Sequence, residues 1–504
     1  MGKDTANAPE ASQRLTSADM IEVSPLVEGR QFPSEGTEIF TTYNPTSGEL
    51  LSRFGVGCAA DVDKAVTAAR RTYSSGVWRY TPPSAKKKTL LRWADLIERH
   101  AGRLDALDAL EMGKPVAVQA FNAALAAELV RFNAEVADKV QGETFTSDSS
   151  STVIQRRVPR GVVAAIVPWN FPTFNVVLKV APALAAGNSV ILKPSELASQ
   201  AALVLANLAL EAGVPPGVLN VVPGCGNVVG RLLAEHMDVD MVTFTGSSAV
   251  GKLILQYAGK SNMKVVSAEC GGKSPHVVFD DGLDLDVVAS HIAHGIVLNQ
   301  GQVCSVGSRL LVERRAEKPL LDRVIAHLAG VVMGDPQSPT TTYGPIASRG
   351  QMERVLSYIT AGKAEGAELV HGGLRMLEGG GGYFVQPTVY ARVPERSRLA
   401  QEEVFGPVLS VLSFQDTDDA IRLANSTCYG LSAYVWTSRT QTGFRVANEV
   451  HAGYTLVNAI APRGEGPGMA ISGEPYGLSG MGVEGGKAGV ESYMRRHTVW
   501  FNHG

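Results

Sequence analysis

Between positions 161 and 280, hydrophobic and polar residues alternate in a way that predicts strands and helices in turn. Five short runs, mostly of β-branched and apolar residues, each lead into a longer segment with helical spacing: Val162–Val167, Ser189–Leu192, Val218–Val222, Met241–Thr245 and Val265–Ser267. Strands that alternate with helices form βαβ units. The pattern therefore predicts a parallel sheet covered by helices on both faces.

The segments before and after this region follow other patterns. Residues 1–36 are polar and rich in Pro, Ser and Glu, which is typical of a loosely held extension. From about 60 to 140, apolar residues recur every three to four positions and predict helices, two of them with N-caps at Asp61 and Ser84. A noisier alternation from about 290 to 460 predicts a second α/β domain, with strands and a helix at Ser308–Val312, 317–330, Leu409–Phe414 and Ala433–Thr437.

Composition narrows the class of protein. A chain of 504 residues exceeds the size of one hydrophobic core and predicts two or three domains. The apolar content of 45% and the net charge of -3 are typical of a soluble globular protein and give no basic surface for nucleic acid. Five cysteines without C-x-x-C spacing indicate neither a disulfide framework nor a metal site. With no apolar leader or bilayer-length run, a reduced, cytoplasmic protein with no membrane partner is expected.

Polar groups follow the first two strands of the predicted sheet. Asn170 lies in P-W-N-F-P (168–172), where its amide could donate into a cleft or could simply cap the next helix. Lys193 and Glu196 lie in K-P-S-E after the second strand, where they could hold ribose hydroxyls or form a solvated turn. Because the carboxyl ends of parallel strands share one edge, these groups are expected to lie close together.

A third strand ends in F-T-G-S-S-A-V-G (244–251). A glycine between a strand and a helix lets a phosphate approach backbone N–H groups and the positive helix end. The spacing from Gly246 to Gly251 differs from the G-x-G-x-x-G fingerprint, so this motif alone is weak. Three consecutive strands, however, each end in groups that could bind a nucleotide, and together they indicate a nucleotide site more strongly than any one motif.

Two reactive side chains follow. Glu269, in A-E-C-G-G-K-S-P, is either a general base or the partner of Lys273 or another basic residue. Cys304 lies in the polar turn N-Q-G-Q-V-C-S-V-G-S-R (299–309), unlike a thiol packed in a core. A thiol with a pKa of about 8.5 needs activation to act as a nucleophile. The alternative for Cys304 is a half-buried thiol without a role.

Six motifs occur in the following order: P-W-N-F-P, K-P-S-E, F-T-G-S-S-x-x-G, E-C-G-G-K-S-P, N-Q-G-Q-V-C and E-E-V-F-G-P. Together they make the chain resemble the aldehyde dehydrogenase superfamily from about residue 37 to 500. The resemblance implies that Cys304 attacks an aldehyde to give a thiohemiacetal and that its backbone N–H and Asn170 hold the oxyanion. It implies that hydride passes to NAD or NADP and that Glu269 activates the water that hydrolyses the thioester.

The same resemblance implies coenzyme contacts at seven positions: Trp169, Lys193, Glu196, Gly246, Ser247, Glu403 and Phe405. Among these, Glu196 would repel a 2′-phosphate, which favours NAD. The resemblance further implies a Rossmann-type coenzyme domain (37–141 and 161–270), a catalytic domain (271–475) and a small β arm (142–160 and 485–504). That arm would join copies of the chain into dimers or tetramers.

The sequence is most similar to the broad-specificity and aminoaldehyde-oxidising branch of the superfamily, with two departures. Leu178 stands where many relatives have Trp, so an aromatic cage for a cationic substrate is at least incomplete. The segment P-Y-G-L-S-G (475–480) is shorter than the usual P-F-G-G-x-K-x-S-G. Two alternatives are considered. A CoA-acylating semialdehyde dehydrogenase is disfavoured by the presence of Glu269, and a non-catalytic relative is disfavoured by the retention of Cys304, Asn170 and Glu269.

Overall fold

The computed structural model describes residues 14–376, 381–459 and 467–504. In these ranges the helices are α1 Ala59–Ser75, α2 Pro83–Arg99, α3 Ala101–Met112, α4 Ala123–Val136, α5 Pro172–Ala185, α6 Gln200–Ala212, α7 Arg231–Glu235, α8 Ser248–Lys260, α9 Leu285–Val297, α10 Glu317–Ala329, α11 Arg349–Ala364, α12 Arg398–Gln401, α13 Thr417–Ala424, α14 Thr440–Glu449 and α15 Gly486–Ser492.

The strands in the same ranges are β1 Leu26–Val27, β2 Arg30–Gln31, β3 Ile39–Tyr43, β4 Leu50–Gly55, β5 Glu143–Phe145, β6 Ser151–Pro159, β7 Val162–Ile166, β8 Ser189–Lys193, β9 Leu219–Val221, β10 Met241–Thr245, β11 Val265–Glu269, β12 Pro275–Val278, β13 Arg309–Glu313, β14 Glu368–His371, β15 Arg375–Met376, β16 Phe384–Val385, β17 Thr388–Ala391, β18 Val408–Phe414, β19 Tyr429–Gly430, β20 Ser432–Trp436, β21 Tyr454–Val457, β22 Tyr476–Gly477, β23 Gly480–Met481 and β24 Met494–Asn502.

The first large sheet has the strand order β2-β1-β9-β8-β7-β10-β11-β23. Strands β7 to β11 run parallel, and all five correspond to the runs predicted from the sequence. The chain goes from β7 outward to β8 and β9, then returns to β10 on the other side of β7. In open α/β sheets, ligands bind at the carboxyl ends of the strands beside such a change of direction. Here that point lies between the ends of β7 and β10.

Helices α1 and α2 form where helical spacing predicted them, but both begin earlier than expected. The N-cap of α1 is Cys58, and Asp61 lies in the first turn, where its carboxylate accepts the Cys58 N–H at 3.0 Å. The N-cap of α2 is Pro82, ahead of Ser84. The two predicted caps were therefore wrong. In α1 a carboxylate inside the first turn accepts a free backbone N–H, and in α2 a proline at the helix start removes one such N–H.

The second large sheet has the order β14-β17-β18-β13-β12-β20-β21 and is parallel except for β14. Its strands β13, β18 and β20 are the ones predicted between 308 and 437. The two sheets are joined directly at the boundary between β11 and β12, where Glu269 ends one strand and Pro275 begins the next. The second α/β unit therefore lies next to the carboxyl edge of the first.

The segments 142–160 and 485–504 meet in a small antiparallel sheet of β5, β6 and β24. β24 pairs with β6 along nine residues, from Met494 opposite Pro159 to Asn502 opposite Ser151. These are the two segments that the sequence analysis assigned to the arm, and the domain boundaries and the arm's role in assembly stay predictions.

Of the predicted extension 1–36, residues 1–13 lie outside the described ranges. Residues 14–32 are packed against the body rather than loosely held: Leu26 is buried in β1, which pairs with β9. The Gln337 amide accepts the Leu15 N–H at 2.7 Å and donates to the Leu15 carbonyl at 2.9 Å. The Gln200 amide makes the same pair of bonds with Ile21. Two distant glutamines hold this segment, which local composition cannot show.

Across the described ranges, no helix is both long and apolar enough to cross a membrane.

Candidate active site

The turn that carries Cys304 has an unusual backbone. Asn299 and Gln300 have φ angles of 48° and 56°, and Gly301 follows with a φ of 69°. A Cβ at Gly301 would lie 2.3 Å from the Gly406 carbonyl oxygen, so only glycine fits here. Consecutive left-handed residues strain the chain, and such strain concentrates at functional sites.

Asn170 is tied to this turn by side-chain and backbone bonds. Its Nδ2 donates to the Gln302 carbonyl at 3.0 Å, and Asn299 Nδ2 donates to the Asn170 carbonyl at 2.7 Å. The helix after Asn170 has its N-cap at Phe171 and no side-chain cap. The capping role considered for Asn170 is therefore not observed, and the amide instead joins the end of β7 to the Cys304 turn.

Cys304 is half-buried beside several carboxylates. Burial, then the negative charges of Glu403 and Glu269, raise the pKa of its thiol to about 12. The Tyr434 hydroxyl donates to the Ser305 carbonyl at 3.0 Å and fixes the residue after the thiol. A thiol with this pKa is protonated at neutral pH, so it needs a nearby base or positive charge to react as a thiolate.

Glu269 ends β11 and is half-buried in the same cleft. Burial, followed by the negative charge of Glu484, raises the pKa of its carboxyl to about 8. Within the described ranges it forms no ion pair with Lys273, whose buried ammonium has no hydrogen-bond partner there. A carboxyl that titrates near neutral pH in a cleft is suited to general-base catalysis.

The shortened segment 475–480 lies directly beside Glu269. Gly480 pairs with Glu269 between β23 and β11. Its φ is 127°, and a Cβ there would lie 1.9 Å from the Ala268 carbonyl oxygen, so this position requires glycine. The Ser479 hydroxyl donates to the Gly271 carbonyl at 2.8 Å. The segment thus forms the edge of the first sheet next to Glu269.

Lys179 and Glu484 are site residues that the sequence analysis did not identify. Their ammonium and carboxylate are 2.5 Å apart, and the Lys179 side chain is fully buried. Both charges act on Glu269, since Glu484 raises its pKa and Lys179 lowers it. A lysine in the otherwise apolar helix V-V-L-K-V-A-P was the available signal, because lysine is almost never fully buried unless it is paired.

The predicted adenosine-ribose residues lie at the end of β8. Lys193 is buried, and its ammonium lies 3.0 Å from the Glu196 carboxylate. Burial opposes ionisation of Glu196, but Lys193 and nearby backbone N–H groups hold the pKa of its carboxyl below the usual value. Glu196 is therefore a negative charge at the sheet edge, not a freely solvated turn residue.

The predicted phosphate residues lie at the end of β10. Gly246 leads into α8, and Ser247 is the N-cap, its side chain accepting the Val250 N–H at 3.3 Å. Thr245 is the last residue of β10, and its buried hydroxyl has no hydrogen-bond partner among the described residues. An unpartnered hydroxyl next to an open helix N-terminus fits a ligand with polar oxygens and phosphates. Thr245 was not identified from the sequence.

Residues from the second α/β unit complete the cleft. The Phe405 ring packs edge-on against Trp169 with centroids 5.4 Å apart. The Glu403 carboxylate accepts the Gly272 N–H at 3.0 Å, and burial raises its pKa to about 7. Asn170 thus contacts the Cys304 turn, Glu403 raises the pKa of the Cys304 thiol, and the rings of their chain neighbours Trp169 and Phe405 pack against each other.

Known proteins match this chain along nearly its whole length. The model of the aldehyde dehydrogenase family matches residues 32–499. An aminoacetaldehyde dehydrogenase of Pseudomonas aeruginosa is 41% identical over 469 residues, which cover 93% of each chain.

Two solved structures share the fold. One is a gamma-glutamyl-gamma-aminobutyraldehyde dehydrogenase from Burkholderia cenocepacia, with a TM-score of 0.92 and 43% identity. The other is an indole-3-acetaldehyde dehydrogenase in complex with NAD+, with a TM-score of 0.92 and 41% identity. Each comparison covers 97% of this chain and 100% of the other. Because the family model and these relatives span nearly its whole length, the chain belongs to the aldehyde dehydrogenase family.

Proposed function

We propose that this aldehyde dehydrogenase oxidises aldehydes to carboxylates with NAD, using Cys304 as nucleophile and Glu269 as the base for hydrolysis. The observation that carries the proposal is the contact of Asn170 with the Cys304 turn, in a cleft that also holds a carboxyl with a pKa of about 8. A thiol, an amide donor and a base within one cleft are what acyl transfer through a covalent thioester requires.

The first step joins the Cys304 sulfur to the aldehyde carbon while the thiol proton passes to a base. The carbonyl oxygen becomes an oxyanion, which the Cys304 N–H and the Asn170 amide stabilise. A primary amide has two N–H donors. The Gln302 carbonyl holds one of them at 3.0 Å, so the Asn170 amide is oriented and its second N–H is available for the oxyanion.

NAD, when bound, would accept the hydride that leaves this carbon, and the acyl group would remain on Cys304 as a thioester. Glu269 then removes a proton from water as the water oxygen attacks the thioester carbon. The carbon–sulfur bond breaks, the carboxylate product leaves, and the thiol regains a proton. The Lys179–Glu484 pair next to Glu269 keeps a compensated charge beside the base through these proton transfers.

The residues at the sheet edge fit NAD. Glu196 and Lys193 would hold the adenosine ribose, while Gly246, Ser247 and the N-terminus of α8 would lie against the pyrophosphate. The negative charge at Glu196 opposes a 2′-phosphate and favours NAD over NADP. Trp169, Glu403 and Phe405 would surround the nicotinamide end, which must lie near Cys304.

The activity is tested by mixing the protein with NAD or NADP and a panel of aliphatic, aromatic and amino aldehydes while the absorbance of NADH or NADPH is followed. We expect turnover with several aldehydes, since Val303 and Ser305 flank the thiol with small side chains, and a higher kcat/KM with NAD. Amino aldehydes belong in the panel because the relatives include an aminoacetaldehyde dehydrogenase. No turnover with any aldehyde and either coenzyme would reject the proposal.

Replacing Asn170 with alanine is expected to lower kcat by about 10² to 10³-fold, the usual effect of losing one oxyanion donor. The comparison variant is Asn207→Ala, which removes an exposed amide that bonds only within α6 and should leave kcat unchanged. Steady-state kinetics with one good aldehyde measure both, and thermal unfolding shows whether each variant is folded. An Asn170→Ala enzyme with normal kcat would remove the amide from the mechanism.

We propose that the arm joins copies of the chain into a dimer or tetramer. β24 is a nine-residue strand with one neighbour, β6, so its other edge is unpaired within the described chain. It exposes Trp500 by 73%, and long exposed edges with aromatic residues favour pairing with another chain. Light scattering after size-exclusion chromatography should give a multiple of the chain mass, and a monomer would contradict this.

A cytoplasmic location stays a prediction. Five free cysteines agree with a reducing compartment. Cell fractionation with a tagged chain tests it.

A further inference from the structure

The backbone that follows Cys304 is held by a side chain from a distant strand. The Tyr434 hydroxyl, from β20, donates to the Ser305 carbonyl at 3.0 Å. The N–H of the same peptide unit, that of Val306, donates to the Val303 carbonyl at 3.1 Å. Because a peptide unit is planar, partners for both its carbonyl and its N–H fix its orientation. Tyr434 supplies one of these two partners.

The preceding peptide unit, between Cys304 and Ser305, directs its N–H at the sulfur. A Cβ at Gly272 would lie 2.7 Å from the Cys304 carbonyl oxygen, so this oxygen lies against the backbone of Gly272. The carbonyl and the N–H of a trans peptide point in opposite directions, so the Ser305 N–H faces away from Gly272. It donates to the Cys304 sulfur, and this hydrogen bond lowers the pKa of the thiol.

The other groups around the sulfur disfavour the thiolate. Burial raises the pKa of the Cys304 thiol to about 12, and the negative charges of three carboxylates raise it as well. These are Glu403 ahead of β18, Glu269 at the end of β11 and Glu484 ahead of α15. The Ser305 N–H opposes them without carrying a charge. Its position relative to the sulfur should therefore affect how readily Cys304 reacts.

Tyr434 is itself held by the rings of two paired strands. In the parallel pair of β12 and β20, His276 lies opposite Tyr434, and the two ring centroids are 4.8 Å apart. The Trp436 Nε1 donates to His276 Nδ1 at 3.1 Å. A Cβ at Gly307 would lie 2.3 Å from His276 Nε2, so the backbone after Ser305 passes directly beside this ring. The rings thus keep the Tyr434 hydroxyl next to the segment that follows the thiol.

Neither Tyr434 nor His276 changes its charge near neutral pH. Burial raises the pKa of Tyr434 to about 12, so its hydroxyl remains a donor at lower pH. Burial, followed by the positive charge of His291, lowers the pKa of His276 to about 3, so the imidazole is neutral above that pH. A change of Cys304 reactivity with pH therefore reports the thiol and the carboxylates around it, and not these two rings.

We propose that Tyr434 is a positioning residue for the nucleophile: its hydroxyl fixes the Ser305 carbonyl and thereby holds the Ser305 N–H against the Cys304 sulfur, where it stabilises the thiolate. This role rests on the proposed function, in which Cys304 attacks the aldehyde. A hydrogen bond to a charged group is about twice as strong as one between neutral groups, so the contact matters most after the thiol has lost its proton. Tyr434 acts through Ser305 and takes no proton itself.

Alkylation of Cys304 by iodoacetamide tests this role without requiring turnover. The full-length protein without NAD is alkylated from about pH 7 to 10, and digestion followed by mass spectrometry separates Cys304 from the other cysteines. Tyr434→Phe keeps the ring and removes only the hydroxyl. We expect its Cys304 to react about tenfold more slowly at each pH, with the rate curve moved to higher pH, because losing one hydrogen bond to a charged group has an effect of this size. The kcat/KM for aldehyde should fall by a similar factor, and NAD affinity should not change.

Tyr390→Phe is the matched control. The buried Tyr390 hydroxyl donates to the Ile359 carbonyl of α11 at 2.5 Å, so this substitution removes the same kind of bond away from the Cys304 turn. Cys304 in this variant should be alkylated at the wild-type rate. Thermal unfolding and titration with NAD show whether both variants are folded.

Equal alkylation of Cys304 in Tyr434→Phe and the wild type would overturn the proposal, as would the same slowing in Tyr390→Phe. Loss of folding or of NAD binding in Tyr434→Phe alone would assign the hydroxyl to the fold, and would also overturn it. The proposed function fails separately. A wild type that oxidised no aldehyde, while Tyr434→Phe still slowed alkylation, would remove the activity and leave the effect of Tyr434 on the thiol in place.

Discussion

Replacing Cys304 with alanine is expected to lower kcat/KM for every aldehyde by about 10⁴-fold or more. Loss of a covalent nucleophile typically has effects of this size, because the remaining groups only bind and polarise the substrate. NAD affinity should not change, since the proposed ribose and pyrophosphate contacts lie at the ends of β8 and β10. NADH absorbance measures the first quantity, and titration calorimetry with NAD the second.

The sharpest control is Cys270→Ala, because Cys270 adjoins Glu269 and is a buried thiol near the site. Its sulfur packs toward Gly251 and lies within a hydrophobic core cluster, and burial raises its pKa to about 12. We expect this variant to keep most of its activity. If Cys304→Ala stayed active while Cys270→Ala did not, the nucleophile would have been assigned to the wrong thiol.

The parallel sheet could be predicted because its strands are short, β-branched and separated by helices. β10 agrees with the prediction residue for residue, and the other four strands agree within one or two positions. Helix starts were less predictable, as Asp61 shows: whether a carboxylate caps from the N-cap or from inside the first turn depends on the chain before it. Composition also could not show that Leu15 and Ile21 are held by glutamines far away in sequence.

The candidate site was predictable where its residues form local motifs at strand ends. Asn170 and Glu269 lie in such motifs, and parallel strands bring their ends to one edge, whereas Cys304 lies in a polar turn between α9 and β13. Lys179 and Glu484 have no shared motif, since 305 residues separate them and only the folded chain pairs them. The pKa of Glu269 depends on this pair, so the sequence could suggest a base but not its titration.

Replacing Glu269 with glutamine is expected to lower kcat by about 10² to 10⁴-fold, the range for loss of a general base. Glutamine keeps the size of the side chain but cannot take a proton from water, so the thioester on Cys304 should persist. Rapid mixing should then show a burst of NADH of about one equivalent per site. Mass spectrometry of the stalled protein should show the added mass of the acyl group.

The pH dependence separates a chemical role of Glu269 from a structural one. Burial and Glu484 raise its pKa to about 8, so the carboxyl is mostly protonated below that pH and kcat of the wild type should rise as pH increases through about 8. Glu269→Gln should lose this rising limb. Glu474→Gln removes an exposed charge that also raises the pKa of Glu269, and it should keep turnover while moving the limb to lower pH. Unchanged turnover and unmodified protein in Glu269→Gln would exclude Glu269 from hydrolysis, whereas a slow burst would show that the same carboxylate also activates the Cys304 thiol.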